Sequence, residues 1–379
     1  MPVEIRKMWT ESTTSPPVRL SAQTCWQSRI PSFQELWLAT SRIPKKGKFT
    51  PSKSRIFMLR GRDIRVFERG QAGGEPATVY CQLAEPDSTN PTYIIGVQPI
   101  SLVRENPFRP PGEFFDIETP YMEQRVTFNI TPKYSFVDLH IGEIWPLNRS
   151  GRSKMTDKLD YGMDGLSAPM HKCQKIWFMY PPTEKNLSLM AKEDGQVVKM
   201  TRLAQSLEGG VMFYTSSDSA VYIPSGCIHG PLTVSGGFLV TMDFTTRNSV
   251  LPFSRYLNLN LYASLDQEGQ RDCYYLYLEC LSVALANGRH NLAIKCWISV
   301  GDRLNQRAST DHKWKAAASA CWGSFLSTRI PHGTICPCNI GCHEIEFAEH
   351  FRDSHLWFLN RDARPRSTRR TQRHSTYET

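Results

Sequence analysis

The sequence has no long hydrophobic run, and this absence limits what the protein can be. Its longest apolar stretches, such as Gly237–Met242, are far shorter than the ~18 residues that a membrane-spanning helix requires. Met1–Thr14 also lacks the apolar segment of a secretory signal. We therefore expect no membrane contact and an intracellular chain in which the eleven cysteines stay reduced, as core residues or metal ligands.

Charge is moderate in amount but unevenly distributed. The 379 residues are 40% hydrophobic and 21% charged with a net charge of +9, which is the composition of a globular protein. Six arginines lie in the last twenty residues, opposed only by Asp362 and Glu378. We expect 360–379 to be a solvated, disordered basic tail, for which contact with nucleic acid or an acidic surface and nuclear import are further interpretations. A nuclear location is favoured over a cytoplasmic one.

Short β-type runs separated by Gly, Pro, Asn and Asp dominate the chain up to about Phe253. Many short strands at this spacing predict a sandwich or barrel, a class that includes jelly rolls and cupins. Past Ser254 the apolar residues recur at helical spacing, which predicts a helical C-terminal region. The clearest strands are Thr92–Val97, Lys175–Tyr180, Ala220–Ile223 and Gly237–Asp243, and the clearest helices are Asp272–Ala286, Leu292–Val300 and His312–Ser327.

Two elements within the β region carry side chains of chemical interest. A strand runs into Pro224-Ser225-Gly226, and the next strand is predicted to project His229 inward. A lone histidine after such a turn is more often structural, so its role depends on the remaining pattern. Lys175 opens a strand that ends in two prolines. A lysine there is ordinarily a solvated edge charge, whereas an inward one can pair with a carboxylate.

Taken together, these elements resemble the JmjC family over about Thr131–Thr245. The resemblance implies a double-stranded β-helix core of jelly-roll or cupin type. It implies Fe(II) held by His140, Asp160 and His229, and 2-oxoglutarate held by Lys175, with Ser167 as a further polar contact. Two imidazoles and one carboxylate leave coordination positions open for co-substrate and oxygen. The matching segments, in order, are 135–141, 160–167, 175–186, 207–210 and 223–229.

The function implied by this resemblance is oxygenation of a protein side chain. The enzyme would be a 2-oxoglutarate-dependent dioxygenase that demethylates or hydroxylates lysine, with a histone or another nuclear protein as substrate. A non-catalytic interaction module is the alternative. A cupin-like binder of sugars or small molecules is less favoured, because Lys175-x-Trp177 is followed by Pro-Pro.

The chain departs from the family pattern after its first histidine. The family places an acid two residues after it, but here Gly142 stands at that position. Glu143 would point to the opposite face of a strand, so we reject it as a ligand. Removing Gly142–Leu159 joins His140-Ile141 directly to Asp160. We therefore hypothesise that 142–159 is a translated intron, of a length that suits the short introns of fungi, which makes a fungal source the expectation.

Two other interpretations of this insertion stay open. The segment could be an exposed loop that returns Asp160 to the metal, or it could leave the site without its acid. In the second case a pair of histidines would hold iron poorly, and the chain would act as a binding module.

A second cluster of metal-binding residue types lies near the C-terminus. His350 and His355 are five apart on a predicted helix, close to the spacing in zinc fingers. Cysteines precede them, and two of these could complete a tetrahedral zinc site. The gap between cysteines and histidines is shorter than in a standard finger, so buried thiols with surface histidines remain the alternative. The candidate zinc ligands are Cys336, Cys338, Cys342, His350 and His355, and the predicted core cysteines are Cys273, Cys280, Cys296 and Cys321.

These observations divide the chain into five predicted segments. They are a partly irregular N-terminal segment over 1–54, a JmjC-like β domain over 55–253 with its core at 131–245, a helical region over 254–330, a Cys/His-rich segment over 331–359 and the basic tail over 360–379.

Overall fold

The computed structural model describes parts of the first half of the chain and most of the second half. The chain separates into two compact units, Met1–Cys296 and Trp297–Thr379. The described residues are 1–12, 16–25, 65–68, 71–72, 92–97, 125–131, 133, 136, 138–141, 164–170, 172–193, 196, 198–263, 265, 267–328, 330–331, 333–338 and 344–359. The predicted insert at 142–159 and the predicted basic tail lie outside them.

The first unit is built around antiparallel strands, as the alternation of β-type runs and turn residues predicts. The predicted strands at Thr92–Val97, Lys175–Tyr180, Ala220–Ile223 and Gly237–Asp243 are confirmed. The strands described are β1 (Val18–Ser21), β2 (Arg65–Glu68), β3 (Gln71–Ala72), β4 (Thr92–Val97), β5 (Arg125–Thr131), β6 (His140–Ile141), β7 (Asp164–Met170), β8 (Gln174–Tyr180), β9 (Val211–Thr215), β10 (Ser219–Ile223), β11 (Ile228–Ser235) and β12 (Gly237–Phe244).

These strands form two sheets. The larger has the order β1-β10-β7-β12-β5-β4-β2-β3, and the smaller has the order β6-β11-β8-β9. From β5 to β12 the chain crosses repeatedly between them, so that β5, β7, β10 and β12 are neighbours in one sheet and β6, β8, β9 and β11 make up the other.

The inner face of the smaller sheet is set by the alternation along β8. Lys175, Trp177 and Met179 are buried, while the residues between them are partly exposed. Successive side chains of a strand point to opposite faces, so these three share one face. Trp177 and Met179 pack in one cluster with Val221 and Leu239 of the larger sheet. That face of β8 therefore looks toward the larger sheet.

The N-terminal residues pack against this β-structure. Helix α1 (Val3–Ser12) places Trp9 in the cluster that contains Trp177 and Met179. The indole Nε1 of Trp9 donates to the carbonyl of Gly209 at 3.0 Å. Strand β1 pairs with β10 and is followed by the short helix α2 (Ala22–Cys25). The sequence left open whether the first hundred residues pack on the β domain, and residues 1–12 and 16–25 do.

Helices complete the first unit. Thr183, after the Pro-Pro stop, caps the helix Glu184–Lys192 by accepting the backbone N–H of Asn186, which satisfies one of the unpaired donors of a helix start. The predicted helix at Asp272–Ala286 is confirmed within α6, and the one at Leu292–Val300 matches α7 closely. The helices are α3 (Glu184–Lys192), α4 (Lys199–Leu203), α5 (Val250–Asn258), α6 (Gln267–Ala286) and α7 (His290–Ser299), the last of which runs into the second unit.

The second unit is helical and has an aromatic core. Asp311 caps the predicted helix His312–Ser327 by accepting the backbone N–H groups of Lys313 and Trp314. Trp297 stacks on Trp314 and meets Trp322 edge to face. None of the helices described in either unit is both long and apolar enough to cross a membrane. The elements are α8 (Gly301–Thr310), α9 (His312–Ser327), α10 (Glu344–His355) and a 3-10 turn at Trp357–Leu359.

Candidate active site

A tight turn positions His229. The backbone N–H of Cys227 donates to the carbonyl of Pro224 at 3.0 Å, and Gly226 between them has a φ of +72°. A side chain at Gly226 would be strained by this φ and would meet Pro252 at 2.7 Å. The turn predicted from Pro-Ser-Gly is confirmed, and β11 begins immediately after it.

His140 lies directly opposite His229. Strand β6 pairs with β11 so that the two histidines are register partners, and their ring centroids are 4.2 Å apart. Cross-strand partners point to the same face. His229 also pairs with Met179, so both imidazoles share the inner face defined by β8.

The tautomer of each imidazole follows from its backbone contact. Nδ1 of His140 lies 2.8 Å from the carbonyl oxygen of Asp138, and Nδ1 of His229 lies 3.1 Å from that of Cys227. A carbonyl only accepts hydrogen bonds, so both Nδ1 atoms must donate. Nε2 of each ring therefore keeps its lone pair. This is the arrangement of many metal-binding histidines, in which one ring nitrogen donates to a carbonyl and the other binds the metal.

Burial keeps both imidazoles neutral. It lowers the pKa of His140 to about 4. It lowers the pKa of His229 well below the ordinary value, and the neighbouring His140 lowers it further. Neutral imidazole is the form that binds metals, so both rings are ready to act as ligands near neutral pH.

Asp138 holds the segment that carries His140. Its carboxylate accepts the backbone N–H of Lys199 at 2.6 Å and of Met200 at 2.8 Å. These are the first two residues of α4, whose unpaired N–H groups attract a carboxylate. Sequence reasoning missed this residue, because its partners lie about sixty positions away.

Lys175 is buried farther along the same face. It is 1% exposed, and its Nζ donates to Thr233 Oγ1 at 2.9 Å. Thr233 is its register partner on β11, four residues after His229, which corresponds to about 13 Å of strand. Burial lowers the pKa of Lys175. Because Lys175 is buried, it is not the solvated edge charge that a lysine at a strand start ordinarily is. No carboxylate among the described residues forms an ion pair with it, and its role as co-substrate anchor stays a prediction.

Trp177 lies between Lys175 and the histidines. Its ring centroid is 6.3 Å from that of His229, and its Nε1 donates to Thr215 Oγ1 at 2.8 Å. Both residues of that hydrogen bond are buried. Sequence reasoning did not identify Trp177 as part of the site, although its position midway between Lys175 and Met179 on the buried face was a usable signal.

Ser167 and Asp164 occupy β7 in the opposite sheet. Ser167 is buried and pairs with Val221. Because Val221 belongs to the cluster between the two sheets, Ser167 lies on the same inward face.

Asp164 has a structural role: its carboxylate accepts hydrogen bonds from Tyr222, Ser225, Thr246 and Ser249. These four hydrogen bonds connect β7 to β10, to the turn before β11 and to the segment before α5. Burial raises its pKa above the ordinary value.

The predicted acid ligand lies outside the described residues. This holds for Asp160 and also for Glu143, the rejected alternative. Within the described part of the chain, no aspartate or glutamate joins His140 and His229 in a group of three metal-binding side chains. The structure thus brings two of the three predicted ligands together, and their binding of a metal, like Asp160 as the third ligand, stays a prediction.

The second predicted cluster is brought together in the C-terminal unit. Cys336, Cys338, His350 and His355 place their donor atoms within 4.8 Å of one another. Cys342 lies outside the described residues. Of the four cysteines predicted to be core residues, Cys273, Cys280 and Cys296 are buried and Cys321 is half-buried.

Comparison with known proteins finds distant structural likenesses among solved structures. No protein-family model matches the chain, and no curated protein matches it. Among solved structures, YcfD, a ribosomal oxygenase from Escherichia coli, is similar over 65% of this chain and 52% of its own, with 13% identity and a TM-score of 0.35. The chain thus corresponds to about half the length of that protein.

Proposed function

We propose that this protein is a JmjC-type Fe(II)- and 2-oxoglutarate-dependent dioxygenase. The strand order supports the fold in this proposal. Eight successive strands, β5 to β12, are divided between two sheets in the orders β10-β7-β12-β5 and β6-β11-β8-β9. That division supports a double-stranded β-helix of the jelly-roll type.

The single observation that carries the proposal is the pairing of His140 with His229. Their rings face each other at 4.2 Å with both Nδ1 atoms held by carbonyls. Two neutral imidazoles on an inward face match the nitrogen ligands of a non-heme Fe(II) centre. Asp160 would be the third ligand, reached either after removal of 142–159 or by a loop that returns to the metal.

Lys175 fits the role of co-substrate anchor. A buried ammonium with only a hydroxyl partner among the described residues is costly unless a carboxylate arrives to pair with it. The distal carboxylate of 2-oxoglutarate would supply that partner. Thr233 orients Nζ, Trp177 borders the space between, and Ser167 contributes a hydroxyl from the opposite sheet.

The chemistry that bound iron and 2-oxoglutarate supply is oxygen-dependent hydroxylation of a C–H bond, coupled to release of succinate and CO2. We propose a protein side chain as substrate, with lysine demethylation or hydroxylation as the reaction and a histone or another nuclear protein as the partner. The substrate class, the nuclear location and contact of the basic tail with nucleic acid rest on the JmjC resemblance and the tail's composition.

A catalytically inactive interaction module is the second candidate. The observation that favours it is that eighteen residues, 142–159, separate Ile141 from Asp160. If that insertion is present and does not return the acid, the two histidines would bind iron weakly.

Anaerobic binding tests the proposal. Fe(II) and 2-oxoglutarate are added to the full chain and to the chain lacking 142–159, and the absorption band that forms when 2-oxoglutarate chelates the iron is recorded. We expect a strong band in the shortened chain and its loss in Lys175→Ala. Lys172→Ala serves as the matched control, because Lys172 is exposed. Absence of the band in both forms would exclude the dioxygenase and leave the interaction module.

A further inference from the structure

The second candidate metal site lies at the end of α10, in the C-terminal unit. Cys336 Sγ is 3.0 Å from Cys338 Sγ and 3.2 Å from His355 Nε2. His350 Nε2 is 3.1 Å from Cys338 Sγ and 3.4 Å from Cys336 Sγ. Two thiols and two imidazole nitrogens therefore converge on one point.

The distances are those of a ligand set and not of a disulfide. A disulfide bond measures ~2.05 Å, so the two sulfurs at 3.0 Å are not bonded to each other. In a tetrahedral zinc site with bonds of ~2.3 Å to sulfur, two sulfur ligands lie roughly 3.8 Å apart. The two sulfurs therefore need to move apart by roughly 0.8 Å to receive an ion between them.

The histidines are already directed toward that point. His350 and His355 are on the last turns of α10, with four residues between them, a spacing within the range that zinc fingers use. Nδ1 of His350 is 3.3 Å from Ser354 Oγ, so Nε2 is the atom left for a metal. The carbonyl of His355 accepts the indole N–H of Trp297 at 3.0 Å, which fixes this helix end to the aromatic core.

We propose that Cys336, Cys338, His350 and His355 bind one structural zinc ion. Two thiolates and two imidazoles in a tetrahedron are the donor set that selects zinc. All four positions are filled by protein, so no site is open for a substrate, and the ion holds the segment before α10 against the helix end. Binding releases the two thiol protons and adds its free energy to folding of the unit. The proposal does not depend on the dioxygenase.

Cobalt substitution tests the site on the full, tag-free chain. Cobalt(II) replaces zinc in tetrahedral sites and gives a thiolate-to-metal charge-transfer band when cysteine is a ligand. We expect about one zinc per chain in the purified protein, and this band after exchange with cobalt. Cys338→Ser is expected to lose the band and the bound zinc.

Two matched variants separate this site from others. Cys321→Ser removes a half-buried thiol of the same unit and is expected to keep the band. His140→Ala removes an imidazole of the other cluster and is also expected to keep it, because that pair offers no thiolate of its own. A folded wild-type chain without the band would overturn the proposal, as would a band that survives in Cys338→Ser. The wild-type result decides the matter even if a variant fails to fold.

Discussion

The two clusters of candidate metal ligands differ in how many donors the described residues supply. On the β-sheets, His140 and His229 face each other on neighbouring strands, and the described residues add no third ligand. In the helical unit, Cys336 and Cys338 meet His350 and His355, so four donors converge. Two imidazoles and one carboxylate leave coordination positions open for reacting molecules, whereas two thiolates and two imidazoles fill a tetrahedron. The two proposals above therefore assign a reactive centre to one unit and a structural site to the other.

The largest expected effect comes from replacing His229, one of the two paired histidines. His229→Ala should abolish iron-dependent conversion of 2-oxoglutarate to succinate, because one imidazole and the proposed Asp160 carboxylate would hold the metal too weakly. Succinate release is the measurement, made on the chain lacking 142–159. His290→Ala, at the start of α7 in the same unit, is the control and should retain turnover. Equal loss in both variants would contradict the assignment of His229.

Lys175→Met should separate binding from stability. Loss of a charge-assisted hydrogen bond of about 1.5–3 kcal/mol should weaken 2-oxoglutarate binding by roughly 10- to 100-fold. Without ligand, methionine keeps most of the volume and removes a buried charge, so the free energy of unfolding should rise by about 1 kcal/mol. Titration of 2-oxoglutarate and urea unfolding measure the two effects. Unchanged affinity would remove Lys175 from the site.

The stability gain of Lys175→Met should depend on pH. Burial lowers the folded-state pKa of Lys175 below its unfolded value, so the unfolded chain binds more protons between these two values. Wild-type stability is therefore reduced at neutral pH, and it recovers as pH rises through the folded pKa toward about 10.4. Urea unfolding of both proteins at neutral and alkaline pH should show their difference shrinking as pH rises. A constant difference would show that the charge is not its cause.

Chelation should distinguish the two clusters by their order of metal loss. An open site with few protein ligands exchanges readily, whereas a closed site with two thiolates does not. Brief treatment with a chelator should therefore abolish turnover while about one zinc per chain remains. Elemental analysis of the dialysed protein and succinate release provide the two readings. Parallel loss of zinc and turnover would mean that the clusters do not differ in this way.

The last expected effect is on stability alone and concerns Trp177, the residue beside His229. Thr215→Val removes the hydroxyl that accepts the indole N–H of Trp177. A buried N–H left without a partner costs about 1–3 kcal/mol, so the free energy of unfolding should fall by that amount. Thr215→Ser keeps the hydroxyl and should stay near wild type in urea unfolding. Equal losses in both variants would point to packing and not to the hydrogen bond.

Elements with strong local patterns could be predicted from the sequence. Alternation identified the strand of Lys175, helical spacing identified His312–Ser327, and Pro-Ser-Gly identified the turn before His229. The cysteines and histidines near the C-terminus were chosen from residue type and spacing alone, and four of the five converge.

Contacts between distant segments could not be predicted in this way. Asp138 accepts N–H groups from α4, and Thr215 accepts the indole N–H of Trp177, yet neither pairing leaves a periodic or local trace in the sequence. Asp164 lies in segment 160–167, which resembles the JmjC family, but the resemblance does not indicate its role. The structure shows that it accepts four hydrogen bonds from three parts of the chain. Such roles depend on which strands become neighbours in the sheets, and the pairing of distant strands cannot be predicted from the local pattern of a single sequence.

The burial of the Trp9 side chain in the β domain has a practical consequence for expressing this protein. Its indole is fully buried beside Trp177 and Met179, and it is tied to Gly209. A shortened chain that begins at the first long strand would leave a hole the size of an indole next to the tryptophan that borders the histidines. Screening libraries and crystallisation trials should therefore keep the first helix, and its deletion should be treated as a change to the surroundings of the two histidines.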